Sequence, residues 1–190
     1  MTQEIEIEFK NLLEKEEYHR LLQNISFPSQ GKLQINHYFE TEEFSLKEQG
    51  CAIRIREKHG KYTLTLKEPH PDGLLETHDS LTEQEALSWI NGTIIPKSNT
   101  SKQLLEKNIQ PEKLIYCGSL STLRRELSYK DVLLVLDYST YNNKEDFELE
   151  IEANTKASGL QMFNQLLEEH NIIQRITPNK IERFFHSLEN

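Results

Sequence analysis

Residues 3–10 alternate strictly, with Glu4, Glu6, Glu8 and Lys10 on one face of an extended chain and Ile5, Ile7 and Phe9 on the other. That period predicts a strand. Residues 11–24 switch to a helical period, with Leu12, Leu13, Tyr18, Leu21 and Leu22 as the apolar stripe. A Pro-Ser-Gln-Gly turn leads to a strand over 33–40. The hairpin signal His59-Gly60-Lys61 joins strands over 51–57 and 62–67, and Pro69, Pro71 and Asp72-Gly73 end the second of them. A short strand over 74–79 follows. Thr82 with Glu85 three residues on predicts a capped helix that Gly92 stops. Residues 98–108 read as a helix, and its Lys97-to-Lys107 region as a solvated one. Strands over 114–129, 132–138 and 147–153, turning at Asn142-Asn143, precede helices over 156–170 and 180–188. Consecutive hairpins interleaved with helices point to an antiparallel α+β fold.

Parity then sorts the charges, because successive side chains of a strand point to opposite faces. The first strand shows Glu4, Glu6, Glu8 and Lys10, and the last shows Glu148, Glu150 and Glu152. Middle strands show Arg54 and Arg56, Lys61 and Lys67, Glu76 and His78, then Thr122, Arg124, Glu126 and Ser128. A one-sided sheet with its charged face in water accounts for any single strand. The segregation of sign argues against it, since neighbouring like charges on a sheet cost stability. A barrel with apolar faces outward, covered by helices, would line its interior with these charges. Carboxylates there suit Mg²⁺ or Mn²⁺, and Arg and Lys suit phosphate.

The chain has 190 residues, with 22 Lys+Arg against 31 Asp+Glu and a net charge of −9. The length suits one medium domain with a real core. The negative balance disfavours binding along a nucleic-acid backbone. No apolar run reaches the roughly 18–20 residues of a membrane span, and the acidic, alternating start is unlike a secretory signal. Cys51 and Cys117 are too few and too far apart for a zinc knuckle or a redox pair, so a reduced, cytoplasmic protein is expected.

The ordered set of motifs resembles the CYTH superfamily, the triphosphate tunnel metalloenzymes, and within it the bacillus-type and thiamine-triphosphatase-like proteins. Glu6-Ile7-Glu8-Phe9-Lys10 matches the family's ExExK signature. Tyr38-Phe39-Glu40-Thr41, Ala52-Ile53-Arg54-Ile55-Arg56, Thr65-Leu66-Lys67, Glu76, Arg124, Asp137 and the run from Glu148 to Glu152 follow in order. Asn179-Lys180-Ile181-Glu182-Arg183-Phe184 looks like the family's C-terminal Lys motif.

The resemblance implies a single domain over residues 1–190, built as an eight-stranded antiparallel β-barrel with outer helices. It implies metal-dependent hydrolysis of inorganic triphosphate, thiamine triphosphate or a nucleoside triphosphate. A class IV-type adenylyl cyclase and a noncatalytic polyphosphate- or nucleotide-binding module are the alternatives. Carried over, Glu6, Glu8, Asp137, Glu148, Glu150 and Glu152 would serve Mg²⁺ or Mn²⁺. Lys10, Arg54, Arg56, Lys67, Glu76, Arg124 and Lys180 would hold substrate, and Glu6, Glu8, Lys10, Glu150 and Lys180 would act in catalysis. Arg124 is preferred to Arg125, which shares a face with Leu123 and Leu127. The expected partner is a small triphosphate, without nucleic acid or membrane, and a homodimer is compatible. Trp89 reads as a core anchor and Cys51 and Cys117 as inert; His37, His59 and His70 read as surface residues and His78 as a candidate beside Glu76.

Overall fold

The computed structural model describes residues 3–188. Its strands are β1 (Gln3–Glu6), β2 (Glu8–Leu13), β3 (Lys32–Glu40), β4 (Ala52–Lys58), β5 (Lys61–His70), β6 (Gly73–Leu81), β7 (Ile115–Tyr129), β8 (Val132–Tyr141) and β9 (Lys144–Ala153). Its helices are α1 (Lys15–Asn24), α2 (Ser45–Glu48), α3 (Glu83–Ile90), α4 (Ser98–Glu106), α5 (Lys156–Glu169) and α6 (Lys180–Leu188). The strands hydrogen-bond in the order β1-β6-β5-β4-β3-β7-β8-β9-β2. The α+β antiparallel expectation holds, with nine strands where eight were expected. The difference lies at Ile7, which splits the first expected strand into β1 and β2, the two ends of that order. Ile7 still accepts a backbone bond from Ala153 N at 3.0 Å. No helix among the described residues is long and apolar enough to cross a membrane.

The chain forms two compact units, one comprising residues up to Ile5 with Gln34–Leu120, the other Glu6–Leu33 with the chain from Ser121 onward. In the first, Phe39, Ile53, Ile55, Leu64 and Leu66 pack against Ala86, Trp89 and Leu104. Trp89 is a buried anchor, edge-on to Phe39 at 5.3 Å, with its indole N–H donating to Ile95 O at 3.0 Å. In the second, Leu134, Leu136, Leu149 and Ile151 pack against Tyr18 and Leu21 of α1 and Phe163, Leu166 and Leu167 of α5. Gly159 permits the close seating of α5, since a Cβ there would lie 2.6 Å from the Phe9 ring. Each fully buried side chain of this kind contributes about 1.5–3 kcal/mol.

Three local expectations need correction. Leu12 and Leu13 belong to β2 rather than to a helix, because the ladder with β9 runs to Leu13 opposite Phe147, and α1 starts only at Lys15. Pro69 does not end its strand. It stands opposite Leu74 near the end of the β5–β6 ladder, where a missing N–H is tolerated. The 98–108 region is not simply solvated, since Thr100 and Leu104 are buried. The Asp79 carboxylate caps α4 by accepting from Thr100 N at 2.8 Å, Thr100 Oγ1 at 2.9 Å and Asn99 Nδ2 at 2.7 Å. The Thr82–Glu85 capping box is present as expected.

Candidate active site

In the second unit, the β7–β8–β9 registers put Arg124 opposite Asp137 and Asp137 opposite Glu148. Glu150 lies two residues along the same face and opposite Lys10 of β2, and Glu152 lies opposite Glu8. This face is not in water: Asp137 is 0% exposed, Glu148 1% and Glu150 6%. Three adjacent buried carboxylates need counter-charge. Arg124 supplies it through a two-pronged contact with Asp137 (Nε–Oδ1 2.9 Å, Nη2–Oδ2 2.6 Å) and a third bond to Glu150 at 2.7 Å. Lys180, from α6, sets its ammonium among Glu148, Glu150 and Asp137, at 2.9 Å from Asp137 Oδ2. Arg125 points the other way, to Tyr18 Oη at 2.8 Å.

These contacts divide the proton affinities of the acids. Burial pushes Glu148 up to about 7, with Lys180 opposing and Glu150 reinforcing the shift. Burial would also raise Glu150, but Lys180 and Arg124 hold it well below the usual carboxylate range. Burial disfavours the Lys180 ammonium, yet Asp137, Glu148 and Glu150 keep its proton bound more tightly than usual. Arg124 behaves alike: burial opposes its charge, and Glu150 and Asp137 outweigh burial.

Two residues of this cluster, Arg183 and Asp146, lie outside the sequence-based set. Arg183, one turn after Lys180 on α6, places Nη1 at 2.6 Å from Glu148 Oε2 and donates from Nε to Asp146 Oδ2 at 2.9 Å. The signals that could have found them are the three-residue spacing on one helix face and the even spacing from Glu148. Lys10 donates to Glu8 at 2.7 Å and also to Asn179. Glu6, Glu8 and Glu152 are half-buried and lie outside the group in which Asp137, Glu148 and Glu150 bring three ligand atoms within 4.8 Å.

In the first unit, β3 through β6 present a largely cationic face. Asn36 lies opposite Arg56 and Tyr38 opposite Arg54; Arg54 in turn lies opposite Thr65, and Lys67 opposite Glu76. Lys67 pairs with Glu76 at 2.5 Å. His78 lies 3.2 Å from Glu4 and 3.4 Å from Glu76, with Nδ1 3.0 Å from Thr65 Oγ1. Arg56 donates from Nε to Asn36 Oδ1 at 3.0 Å. Arg54 Nε is buried with no hydrogen-bond partner among the described residues. Glu40 holds the backbone in place, since its carboxylate accepts from Leu46 N and Lys47 N, both at 3.0 Å, at the start of α2. His37, expected at the surface, is half-buried, with Nδ1 3.2 Å from Tyr116 Oη.

The CYTH domain family model matches residues 4–185. The chain belongs to the CYTH family. The Bacillus subtilis (strain 168) protein "Putative triphosphatase YjbK" is 46% identical over 186 residues, covering 97% of this chain and 96% of its own. A Bacillus halodurans structure described as a putative adenylate cyclase is 43% identical, covers 97% of this chain and 100% of its own, and superposes with a TM-score of 0.94. A Hippeastrum structure, described as a putative adenylyl cyclase with a dominant triphosphatase activity, shares the fold at 21% identity and TM-score 0.78, with 96% of each chain covered.

The oxygen-only, buried donor set of Asp137, Glu148 and Glu150 fits a hard divalent cation, as CYTH membership implies. The same three carboxylates pair with Lys180, so a cation held there would compete with its ammonium.

Proposed function

We propose that this CYTH protein hydrolyses a triphosphate with the help of Mg²⁺ or Mn²⁺. The observation that carries the reading is the buried cluster of Asp137, Glu148 and Glu150 with Arg124 and Lys180. A binding module for polyanions needs cations, and burying three acids beside them serves no such purpose. Asp137, Glu148 and Glu150 would hold the cation, assisted by Glu6, Glu8 and Glu152. When bound, such a cation neutralises phosphate oxygens and stabilises charge developing on the transferred group.

The chain's own residues do the rest. Glu150, kept ionised by Lys180 and Arg124, stays a proton-free acceptor. Arg54, Arg56 and Lys67 grip phosphate oxygens, Arg as a fork and Lys as a point charge, with Glu76 steadying Lys67. Within the second unit, Arg124, Lys10 and Lys180 offset the charge of its own acids. Glu8, half-buried beside Lys10, orients the attacking water and accepts its proton. The name of the Bacillus halodurans relative favours a second reading, cyclisation of ATP.

Incubation with Mg²⁺ or Mn²⁺ and either tripolyphosphate or ATP separates the two. Orthophosphate release is the expected outcome; cyclic AMP with pyrophosphate would replace the proposal by the cyclase reading. Glu8→Gln should lower turnover at least 100-fold with an unchanged circular-dichroism spectrum, and normal turnover in this variant removes Glu8 from the mechanism.

A further inference from the structure

Strand β3 turns a second set of polar side chains to the face that carries Arg54 and Arg56. Gln34, Asn36 and Tyr38 alternate with Ile35, His37 and Phe39, and the register sets Gln34 opposite Lys58 and Asn36 opposite Arg56. Gln34 is 1% exposed and Asn36 0%. Asn36 Oδ1 accepts from Arg56 Nε at 3.0 Å, which fixes which amide atom is left over. Its Nδ2 is buried with no partner among the described residues, and so are both amide atoms of Gln34. Buried amides are almost always hydrogen-bonded in folded proteins, so three idle atoms on neighbouring positions of one charged face point to a ligand.

The kinds of idle atom restrict that ligand. Asn36 Nδ2 and the buried Nε of Arg54 are donors and match phosphate oxygens, while Gln34 Nε2 is a donor set beside an acceptor. Gln34 Oε1 is an acceptor. Inorganic tripolyphosphate offers essentially only acceptors at neutral pH and leaves Gln34 Oε1 unmatched. An organic substituent carrying an N–H or O–H beside an acceptor satisfies both halves of the Gln34 amide, in the two-pronged manner by which Gln reads a base edge.

We propose that Gln34 and Asn36 form a substrate subsite that selects an organic triphosphate ester bearing a hydrogen-bond donor over inorganic triphosphate. This rests on the triphosphate reading of the site and narrows it. Asn36 orients Arg56 and contacts a phosphate, and Gln34 reads the substituent.

Binding tests it without relying on turnover. Calorimetric titration, in EDTA and again with Mg²⁺, compares ATP, thiamine triphosphate, methyl triphosphate and tripolyphosphate on the wild type and on Gln34→Met. The wild type should bind ATP or thiamine triphosphate about 10-fold more tightly than methyl triphosphate, an ester without a donor. Gln34→Met should erase that preference while changing the affinities for methyl triphosphate and tripolyphosphate less than twofold. Which of the two donor-bearing esters is preferred identifies the substituent. Gln34→Met removes only idle polar atoms, so the ligand-free variant should melt at or above the wild-type temperature. Equal losses for all four ligands, or no loss for any, overturn the subsite. A wild type that binds tripolyphosphate as tightly as the esters overturns it while leaving the triphosphatase intact. A wild type that binds none of the four removes the triphosphate reading itself.

Discussion

The two units differ in how the buried polar groups on their charged faces are matched. In the second, Arg124, Lys180 and Arg183 are spent on Asp137, Asp146, Glu148 and Glu150, so that each buried cation already has its acids. In the first, Arg54 Nε, Asn36 Nδ2 and the Gln34 amide are buried with no hydrogen bond among the described residues. A buried charge with its counter-charge holds the fold together, and removing one partner strands the other. A buried polar group without a partner costs the folded state its desolvation, and a ligand can supply the missing partner. The comparison separates side chains that the fold requires from side chains that only a ligand requires, although both sets occupy polar faces of the same strand order.

The separation breaks most visibly at Arg124. Replacing it by Met leaves Asp137 and Glu150 buried without their fork. Unfolding in urea should show a loss of about 3–5 kcal/mol. A loss below about 1 kcal/mol would mean that Lys180 alone neutralises the cluster, and that the pairing drawn for Arg124 is not what holds these strands.

A smaller effect tests the proton balance of the same cluster. Burial lifts Glu148 to about 7, against 4.5 for an ordinary glutamate. Between those values the folded protein holds a proton that the unfolded chain has released, so this group makes stability fall as pH rises from about 4.5 to about 7. Glu148→Gln stays neutral throughout and lacks that slope. In metal-free buffer the variant should therefore gain on the wild type across this window, by on the order of 3 kcal/mol at the top of it. Parallel stability curves for the two proteins would show that Glu148 is ionised in the cluster at all these pH values.

Much of this is legible in the chain because strand parity is a local property. Arg54 with Arg56, and Glu148 with Glu150, follow from alternation, and Arg125 is set aside because Leu123 and Leu127 share its face. What escapes depends on distant partners. Leu12 and Leu13 look helical until β9 is known to lie beside them. The start of α4 is held by Asp79, twenty-one residues before Thr100, and no local cap announces it. Arg183 stands inside the C-terminal motif without a role of its own until α6 meets β9. Gln34 and Asn36 lie in plain alternation but carry no charge, so sorting the strands by charge passes over them.

The smallest expected change in stability is the most informative for the comparison. Arg54 lies on the polar face of β4, opposite Tyr38 and Thr65, with its buried Nε unmatched. Arg54→Met removes a cation and an idle donor together while keeping much of the length of the side chain. If the first unit's face is built for a ligand, the variant should stay within about 0.5 kcal/mol of the wild type in urea. Its affinity for tripolyphosphate should nevertheless fall at least 10-fold, because hydrogen bonds from a charged donor are among the stronger ones. The pair of numbers decides: Arg124→Met should lose stability, and Arg54→Met should lose binding and keep stability. If Arg54→Met unfolds as readily as Arg124→Met, the first unit needs its cation for folding, and the division between the two faces fails.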